Sequence, residues 1–314
     1  MFCNVEQQNV VAFRDVKHTI YECPLDLRRD KIDRLVVDNL GITDSPTPSL
    51  AQWEDFVDRL INPRHTVNIA VVGKYIELQD AYKSIYESLT IAGATHHTKV
   101  NIVRIDSEAI EQDGPETLIG EVDGILIPGG FGDRGIQGKI QAAHYARSMR
   151  IPYFGICLGM QVAVIEFARN ACNLEGAHST ECNKETPHPV ICLQEEQKGV
   201  ADMGATMRLG SCESILYPGT RAAELYRGAD RINERHRHRY EFNPDYLDQL
   251  KEAGLVISSV SAAEGLVEMI ELPEHPFYLG AQFHPEFQSK PNNPHPLFSG
   301  FVKAALDSKV GMPA

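Results

Sequence analysis

Residues 151–168 read IPYFGICLGMQVAVIEFA, and this stretch decides the fold. An apolar run typical of a buried strand leads up to Cys157, and an apolar pattern with helical spacing follows it at once. Gly155 and Gly159 flank the cysteine, so a tight turn can join the strand to the helix without Cβ atoms that would clash. The Gly-x-Cys-x-Gly pattern in this setting is typical of a nucleophile elbow. It predicts a parallel α/β sheet with the cysteine exposed at the carboxyl end of a strand.

The pattern around Cys157 has two interpretations. At the start of a helix, unpaired backbone amides and the helix dipole stabilise a thiolate, which favours a nucleophile. The alternative is a small, buried cysteine in a glycine-containing turn, and a lone pattern of this kind favours that alternative. The choice therefore depends on two further motifs.

The first of these motifs is a glycine-rich loop, PGGFG at 128–132, which directly follows another predicted buried strand. Free backbone N–H groups in such a loop can face a developing oxyanion in acyl transfer. An ordinary turn and a phosphate loop are the alternatives. The loop lacks the Lys-Ser/Thr pair of a P-loop and the full Gly-x-Gly-x-x-Gly spacing, which disfavours phosphate binding.

The second motif is QFHPEF at 282–287, which supplies the best placed histidine of the chain. His284 ends a predicted strand, and Pro285 biases it towards an extended backbone. Residues two apart in an extended chain point to the same side, so we expect Glu286 to reach the His284 ring. A carboxylate there would orient a catalytic base and stabilise its protonated form. A surface histidine at a strand end is the alternative, and three motifs at one sheet edge weigh against it.

Around these motifs the chain alternates predicted strands and helices, which indicates a mostly parallel sheet covered on both faces. The predicted strands are 67–73, 99–105, 123–128 and 151–156, and the predicted helices are 81–94 and 136–150. Shorter predicted strands follow after about residue 186 and indicate an antiparallel extension of the same domain. They are 190–193, 206–209, 232–242, 256–260, 266–271 and 277–283.

The first 60 residues are predicted to form a helical appendage without a core of its own. Apolar residues recur at helical spacing over 25–40, and TDSPTPS at 43–49 is the best linker in the chain. Ser49 is expected to cap a short helix that carries Trp53 and Phe56.

Composition excludes several classes of function. The 314 residues are 43% hydrophobic and 23% charged, as in a folded α/β protein. No apolar run long enough to span a bilayer and no secretory signal is present, so no membrane partner is expected. A formal net charge of −13 disfavours nucleic acid as a partner. Seven cysteines without a Cys-x-x-Cys pair predict a reducing, cytoplasmic location and no disulfide framework or zinc ribbon.

A basic run, RHRHR at 235–239, stands out in this acidic chain. His236 and His238 share one face of a predicted strand, but no cysteine or carboxylate stands at ligand spacing, so no metal is predicted. A solvated charged face is a second interpretation. The concentration of cations favours a local site for a small anion such as a carboxylate.

Taken together, GICLGMQ (155–161), PGGFG (128–132) and FHPE (283–286) resemble the class I, triad-type glutamine amidotransferases, which have a flavodoxin-like α/β fold. Further segments are similar to the glutaminase half of the CTP synthase family, and the similarity runs from about residue 67 to residue 305. They are VGKY (72–75), DAYKS (80–84), GGFGDRG (129–135), MRLG (207–210), ERHRHRYE (234–241) and HPLF (295–298).

The resemblance implies a role for each matching residue. Cys157 would attack the side-chain amide of L-glutamine, His284 would act as base and acid, and Glu286 would orient it. The backbone amides of Gly130 and Leu158 would form the oxyanion hole. The implied glutamine-binding residues are Gly130, Leu158, Gly159, Met160, Gln161, Glu181 and Arg239. A free amino acid needs an anion for its ammonium group and a cation for its carboxylate, and arginine pairs with a carboxylate bidentately.

The resemblance also implies the domain organisation. Residues 1–43 would be the end of a synthetase (amidoligase) domain, 44–66 a linker, 67–306 the glutamine amidotransferase domain and 307–314 a tail. The chain would then be a piece of a longer enzyme in which ammonia from glutamine serves the ATP-dependent amination of UTP to CTP. No cofactor is expected in this piece, whereas ATP, Mg²⁺ and allosteric GTP are implied for the whole enzyme, which is expected to be a homotetramer.

Two alternatives stay open on the sequence alone. Another triad amidotransferase or a cysteine hydrolase would share the elbow, although the segments 72–75 and 235–240 argue against this. A catalytically silent assembly module is the other alternative. Labelling of Cys157 by an electrophilic glutamine analogue distinguishes it from an enzyme.

Overall fold

The computed structural model describes residues 4–193 and 207–311. The helices of this part are α1 (Cys23–Arg29), α2 (Ile32–Asn39), α3 (Ala51–Ile61), α4 (Lys83–Thr95), α5 (Ser107–Asp113), α6 (Pro115–Ile119), α7 (Ile136–Ser148), α8 (Leu158–Asn170), α9 (Arg221–Leu225), α10 (Leu247–Glu252) and α11 (Pro296–Val310). Its strands are β1 (His65–Gly73), β2 (Thr98–Asp106), β3 (Gly124–Ile127), β4 (Tyr153–Ile156), β5 (His178–Ser179), β6 (Pro189–Cys192), β7 (Arg208–Leu216), β8 (Arg231–His238), β9 (Glu241–Phe242), β10 (Val256–Ser261), β11 (Val267–Glu271) and β12 (Tyr278–Ala281). No helix in these two ranges is long and apolar enough to cross a membrane.

A nine-stranded sheet in the order β2-β1-β3-β4-β12-β11-β10-β7-β8 forms the centre of the fold. Strands β2, β1, β3, β4 and β12 are parallel, and β11, β10, β7 and β8 continue the sheet in antiparallel pairs. The predicted α/β sheet with an antiparallel extension is therefore confirmed.

Strand β12 corrects one part of that prediction. The sequence pattern places 277–283 in the antiparallel extension, but β12 pairs in parallel with β4, with Tyr278 opposite Tyr153. It follows β11 in the chain and lies antiparallel to it, and its other edge is taken by β4. A short apolar run has no feature that identifies its neighbours. The consequence is functional, because the chain leaving β12 emerges beside the chain leaving β4.

Helices cover both faces of the sheet, as predicted. On one face the apolar side chains of α7 and α8 pack on the strands, including Ile140 and Val162. On the other face α4 and α11 do so, including Leu89 and Phe301. Two short helices, α5 and α6, were not anticipated, because each is too brief to show a helical period.

The N-terminal region differs from the prediction in its details. The single helix expected over 25–40 is two helices, because Lys31 adopts a left-handed backbone (φ 58°) between them. Helix α3 begins after Leu50, and the Ser49 hydroxyl accepts the Ala51 N–H at 3.4 Å. Phe56 of α3 is buried against α4, so the segment predicted as a linker is partly docked on the domain.

The predicted strand 232–242 is divided in the structure. Strand β8 stops at His238, and β9 pairs with β6 in a second, three-stranded sheet. Arg239 and Tyr240 form the corner between the two sheets. The predicted strand 206–209 begins at Thr206, outside the described residues, and β7 extends from Arg208 to Leu216.

Candidate active site

Cys157 occupies the sharp turn between β4 and α8. Its backbone has φ 51° and ψ −103°, a strained conformation for a residue with a side chain. The Cys157 N–H donates to the Ala281 carbonyl at 2.7 Å, which fixes the turn to the end of β12. A Cβ on Gly159 would lie 2.1 Å from the Ile127 carbonyl oxygen, and one on Gly155 would lie 2.6 Å from the Gly159 carbonyl carbon. The steric reason predicted for both glycines is confirmed.

His284 and Glu286 lie where the chain leaves β12. The His284 Nδ1 and the Glu286 Oε1 are 2.7 Å apart, so the expected contact is present. The expected backbone is wrong, because β12 ends at Ala281 and a 3-10 turn spans Pro285–Phe287. Proline is well tolerated at the first position of such a turn. The turn, rather than an extended strand, brings the carboxylate to the ring.

The glycine-rich loop holds the histidine and the cysteine side by side. A Cβ on Gly129 would lie 2.7 Å from the His284 Cε1 and 3.5 Å from the Cys157 Cβ. The backbone N–H of His284 donates to the Arg235 carbonyl at 2.8 Å, so β8 also helps to place this residue. Cys157 and His284 are both buried, at 2% and 8% exposure, so the prediction of an exposed cysteine is wrong. Burial strengthens any charge interaction between the two side chains.

The groups around His284 favour the protonated form of its ring. Burial lowers the pKa of His284, but the negative charge of Cys157 and the hydrogen bond to Glu286 outweigh burial and raise that pKa to about 10. The ring is therefore an imidazolium at neutral pH, with Nδ1–H donating to the Glu286 carboxylate. This arrangement leaves Nε2–H for the cysteine side of the ring.

A pH titration of His284 by nuclear magnetic resonance tests this pair. We expect the ring to stay protonated until the pH approaches about 10, and its pKa to fall in the Cys157→Ala variant because burial remains while the opposing charge is removed. The folded-state pKa lies above the ordinary value of 6.5, so the stabilising contribution is complete below pH 6.5 and is lost as the pH rises through about 10. An unchanged pKa in the variant would contradict the pairing.

The residues predicted for the oxyanion hole are neighbours in the structure. Leu158 is the first residue of α8, so no earlier carbonyl of the helix accepts its N–H. A Cβ on Gly130 would lie 3.4 Å from the Leu158 Cδ2. Further along the loop, the Gly132 N–H donates to the Glu181 Oε1 at 2.8 Å, and the Lys74 ammonium donates to the Phe131 carbonyl.

Lys139 was missed by the sequence analysis. It lies in α7 almost fully buried, with its Nζ 3.8 Å from the place that a Cβ on Gly130 would occupy. Burial lowers the pKa of Lys139 to about 8. Its spacing from Ile136, Ile140 and Ala143 puts it on the apolar face of the helix. This spacing is the feature of the sequence that could have identified Lys139 as buried.

Three of the predicted glutamine-binding side chains, Gln161, Glu181 and Arg239, interact with Tyr240. Burial and the Glu181 carboxylate raise the pKa of Tyr240 while Arg239 lowers it, so an anion and a cation both act on this ring. The Gln161 Nε2 donates to the Tyr240 carbonyl at 3.0 Å.

Met160 is buried in the core, where its side chain packs towards Gly280, so only its backbone is available to a ligand.

His236 and His238 are buried beside this site. The Nδ1 of His236 and the Nε2 of His238 are 2.9 Å apart, and Glu268 and Glu241 lie next to them. Burial, followed by the charge of Arg208, lowers the pKa of His236 to about 2 and that of His238 to about 3, so both rings are neutral. Within residues 4–193 and 207–311, no group of three or more histidine, cysteine and acidic residues is arranged to hold a metal ion.

Comparisons with known proteins identify the family of this chain. Residues 77–304 match the family described as Glutamine amidotransferase class-I. A CTP synthase of Geotalea uraniireducens is 50% identical over 307 residues, which are 98% of this chain and 57% of that protein. A CTP synthase of Methanocaldococcus jannaschii is 50% identical over 316 residues, covering 99% of this chain and 58% of that protein. The chain thus spans a little over half the length of these relatives.

A solved structure extends the similarity to three dimensions. The glutaminase domain of Trypanosoma brucei CTPS with bound acivicin has 41% sequence identity and a TM-score of 0.72, over 77% of this chain and 94% of that one. The similar fold and the family match therefore agree. This chain therefore belongs to the class I glutamine amidotransferases, and within that family it is similar to CTP synthases and to the glutaminase domain of one of them.

Proposed function

We propose that the chain hydrolyses L-glutamine to glutamate and ammonia through a thioester on Cys157. The observation that carries the proposal is the contact of Glu286 with His284, with His284 set against Cys157 at the carboxyl edge of the parallel sheet. A nucleophile, a base and an orienting carboxylate in this order are the elements of triad catalysis.

In the first half-reaction, the Cys157 thiolate attacks the amide carbon of the glutamine side chain. The carbonyl oxygen takes up the negative charge, and the N–H groups of Gly130 and Leu158 are the proposed donors to it. The imidazolium of His284 gives its Nε2 proton to the amide nitrogen, the C–N bond breaks, and ammonia leaves. The products are a γ-glutamyl thioester and a neutral His284.

In the second half-reaction, water attacks the thioester carbon while neutral His284 accepts its proton. The C–S bond breaks, so the thiolate and the imidazolium are both restored. The released γ-carboxylic acid then ionises in solvent. Protons balance over the cycle, because the proton that His284 gives to ammonia is replaced by the one it takes from water.

Selection of a free amino acid is proposed to depend on Glu181 and Arg239. A carboxylate and a guanidinium around Tyr240 complement the ammonium and carboxylate of a glutamine zwitterion. Glu181 also accepts the Gly132 N–H, so substrate binding and the glycine loop share one residue.

The Glu181→Gln variant separates the charge of Glu181 from its contact with the loop. An amide oxygen can still accept the Gly132 N–H, whereas the attraction for the substrate ammonium is lost. We expect KM for glutamine to rise by about tenfold or more, because hydrogen bonds to charged groups contribute about 1.5–3 kcal/mol, while kcat stays within a few-fold. Initial rates of ammonia release against glutamine concentration measure both constants, and an unchanged KM would contradict the assignment.

The role of the chain in a larger enzyme is also proposed. Its relatives carry further sequence, and we propose that a synthetase domain uses the ammonia for the ATP- and Mg²⁺-dependent amination of UTP to CTP, with GTP as activator and a tetramer as the assembly. Ammonia release by this chain alone is then expected to be low and to rise with the synthetase domain and GTP. The cysteines at 23, 157, 172, 182 and 212 are free thiols in the described part of the chain, which supports a reducing, cytoplasmic location.

The proposed hydrolysis is tested with acivicin, which is bound in the related glutaminase domain. We expect ammonia release from glutamine, none from asparagine, and stoichiometric labelling of Cys157 that stops the release. Peptide mass spectrometry identifies the labelled residue. Release that persists after complete labelling, or labelling confined to other cysteines, would contradict the proposal.

A further inference from the structure

Gln282 is a buried polar residue to which the mechanism above gives no role. It lies between β12 and His284 and is fully buried. Its backbone N–H donates to the Glu268 carbonyl at 2.8 Å, which fixes the residue against β11. Its side-chain Nε2 lies 3.8 Å from the Cys157 Sγ.

The hydrogen-bond partners determine which end of the Gln282 amide faces the sulfur. The Tyr240 carbonyl can only accept, so the Gln161 amide presents its NH₂ group there, at 3.0 Å. The same NH₂ group donates its second hydrogen to the Gln282 Oε1 at 3.3 Å. With its oxygen held by Gln161, Gln282 turns its own NH₂ group to Cys157. A backbone carbonyl thus sets the orientation of the whole chain of amides.

We propose that Gln282 donates an N–H···S hydrogen bond that stabilises and positions the Cys157 thiolate. Its catalytic consequence rests on the proposed glutaminase function, but the contact with the sulfur does not. The imidazolium of His284, with Glu286 behind it, is the charged group that interacts with Cys157. Gln282 carries no charge and does not titrate, so the hydrogen bond that it donates to the sulfur remains when His284 transfers its proton.

A neutral donor is suited to this position for a physical reason. In a buried site a hydrogen bond to a charged acceptor is stronger than in water. The thiolate is the attacking group in the first half-reaction and the leaving group in the second, so a donor held at the sulfur assists both steps. It also limits rotation of the side chain and keeps the sulfur aligned with the substrate carbon.

The test replaces Gln282 and titrates the thiolate. Gln282→Met keeps the volume and removes the donor, and Gln282→Glu places a second negative charge beside the sulfur. The readout is the ultraviolet absorbance of the thiolate against pH, taken as the difference between each chain and its Cys157→Ala counterpart. This signal needs neither substrate nor activity. Gln137→Met, the same change at an exposed glutamine in α7, is the control.

We expect the midpoint of thiolate formation to rise by about one pH unit in Gln282→Met, a tenfold change in the equilibrium, and further in Gln282→Glu. We also expect kcat for glutamine to fall by about tenfold in Gln282→Met with KM within about twofold. The Gln137→Met control keeps the original midpoint and rates. Loss of packing alone would lower thermal stability without moving the midpoint.

An unchanged midpoint in folded Gln282→Met would overturn the inference. If that variant fails to fold, as judged by circular dichroism, Gln161→Met takes its place, because it releases the Gln282 amide from its fixed orientation. It is expected to raise the midpoint by a smaller amount, and no rise there would also overturn the inference. A chain with the expected midpoints but no ammonia release would contradict the proposed function and leave the role of Gln282 standing.

Discussion

Ammonia release from glutamine is expected to fall by roughly 10⁴-fold or more when Cys157 is replaced by alanine, which leaves only background hydrolysis. The reason is that no other described cysteine stands at a strand-to-helix turn against a histidine–carboxylate pair. Cys157→Ser is expected to be nearly as inactive, because a hydroxyl is a far weaker nucleophile than a thiolate. A coupled assay for ammonia under saturating glutamine measures the loss.

Cys172→Ala is the matched control for this result. Cys172 lies just beyond α8, half-buried, with its sulfur 3.9 Å from the Gln249 carbonyl. We expect this variant to keep its activity within a few-fold. Substantial activity in a pure Cys157→Ala preparation, or equal losses in both variants, would remove Cys157 from the mechanism.

Gly159→Ala is expected to lower the free energy of unfolding by about 3 kcal/mol and kcat by about 10²-fold. The added Cβ would lie 2.1 Å from the Ile127 oxygen and 3.0 Å from the Ile127 carbonyl carbon. These are backbone atoms of β3, so the start of α8 has to move away from the sheet. Such a movement displaces both Cys157 and the Leu158 N–H. Urea unfolding gives the first quantity, and initial rates of ammonia release give the second.

Gly228→Ala separates this clash from ordinary glycine strain. Gly228 has φ 75°, and a Cβ there would meet no atom within 4 Å. We expect a cost of about 1 kcal/mol from the left-handed backbone and unchanged activity. Equal stability losses in the two variants would show that the contact between α8 and β3 is looser than the structure indicates.

Much of the fold and of the site could be predicted because local signals agreed. Gly155 and Gly159 mark the turn at Cys157, and the motifs at 128–132 and 282–287 favour the cysteine as a nucleophile. Strands β3 and β4 are marked by apolar runs that end in turns. Apolar residues that recur with a period of two in a strand, or of 3.6 in a helix, indicate which face of the element is buried. This pattern therefore located the strands of the parallel half and the helices α4 and α7 to within a few residues.

The parts that could not be predicted depend on contacts between distant segments. Nothing in residues 277–283 indicates that β12 lies beside β4, because strand pairing is a tertiary property. The 3-10 turn that carries Glu286 to His284 replaced an extended segment, although either backbone satisfies the contact. Gln282 belongs to the motif at 282–287, but its proposed role depends on contacts with Gln161 and Cys157 and on the contact of Gln161 with Tyr240. These residues are distant in the sequence.

The most direct test of the thioester mechanism is to stop glutamine turnover by rapid acid quenching and to measure the intact mass of the chain. We expect a mass increase of one γ-glutamyl group, located on Cys157 by peptide mapping, that disappears when glutamine is exhausted and is absent in Cys157→Ala. If the wild-type chain releases ammonia without any such adduct, or carries the adduct on another residue, the thioester mechanism at Cys157 is contradicted.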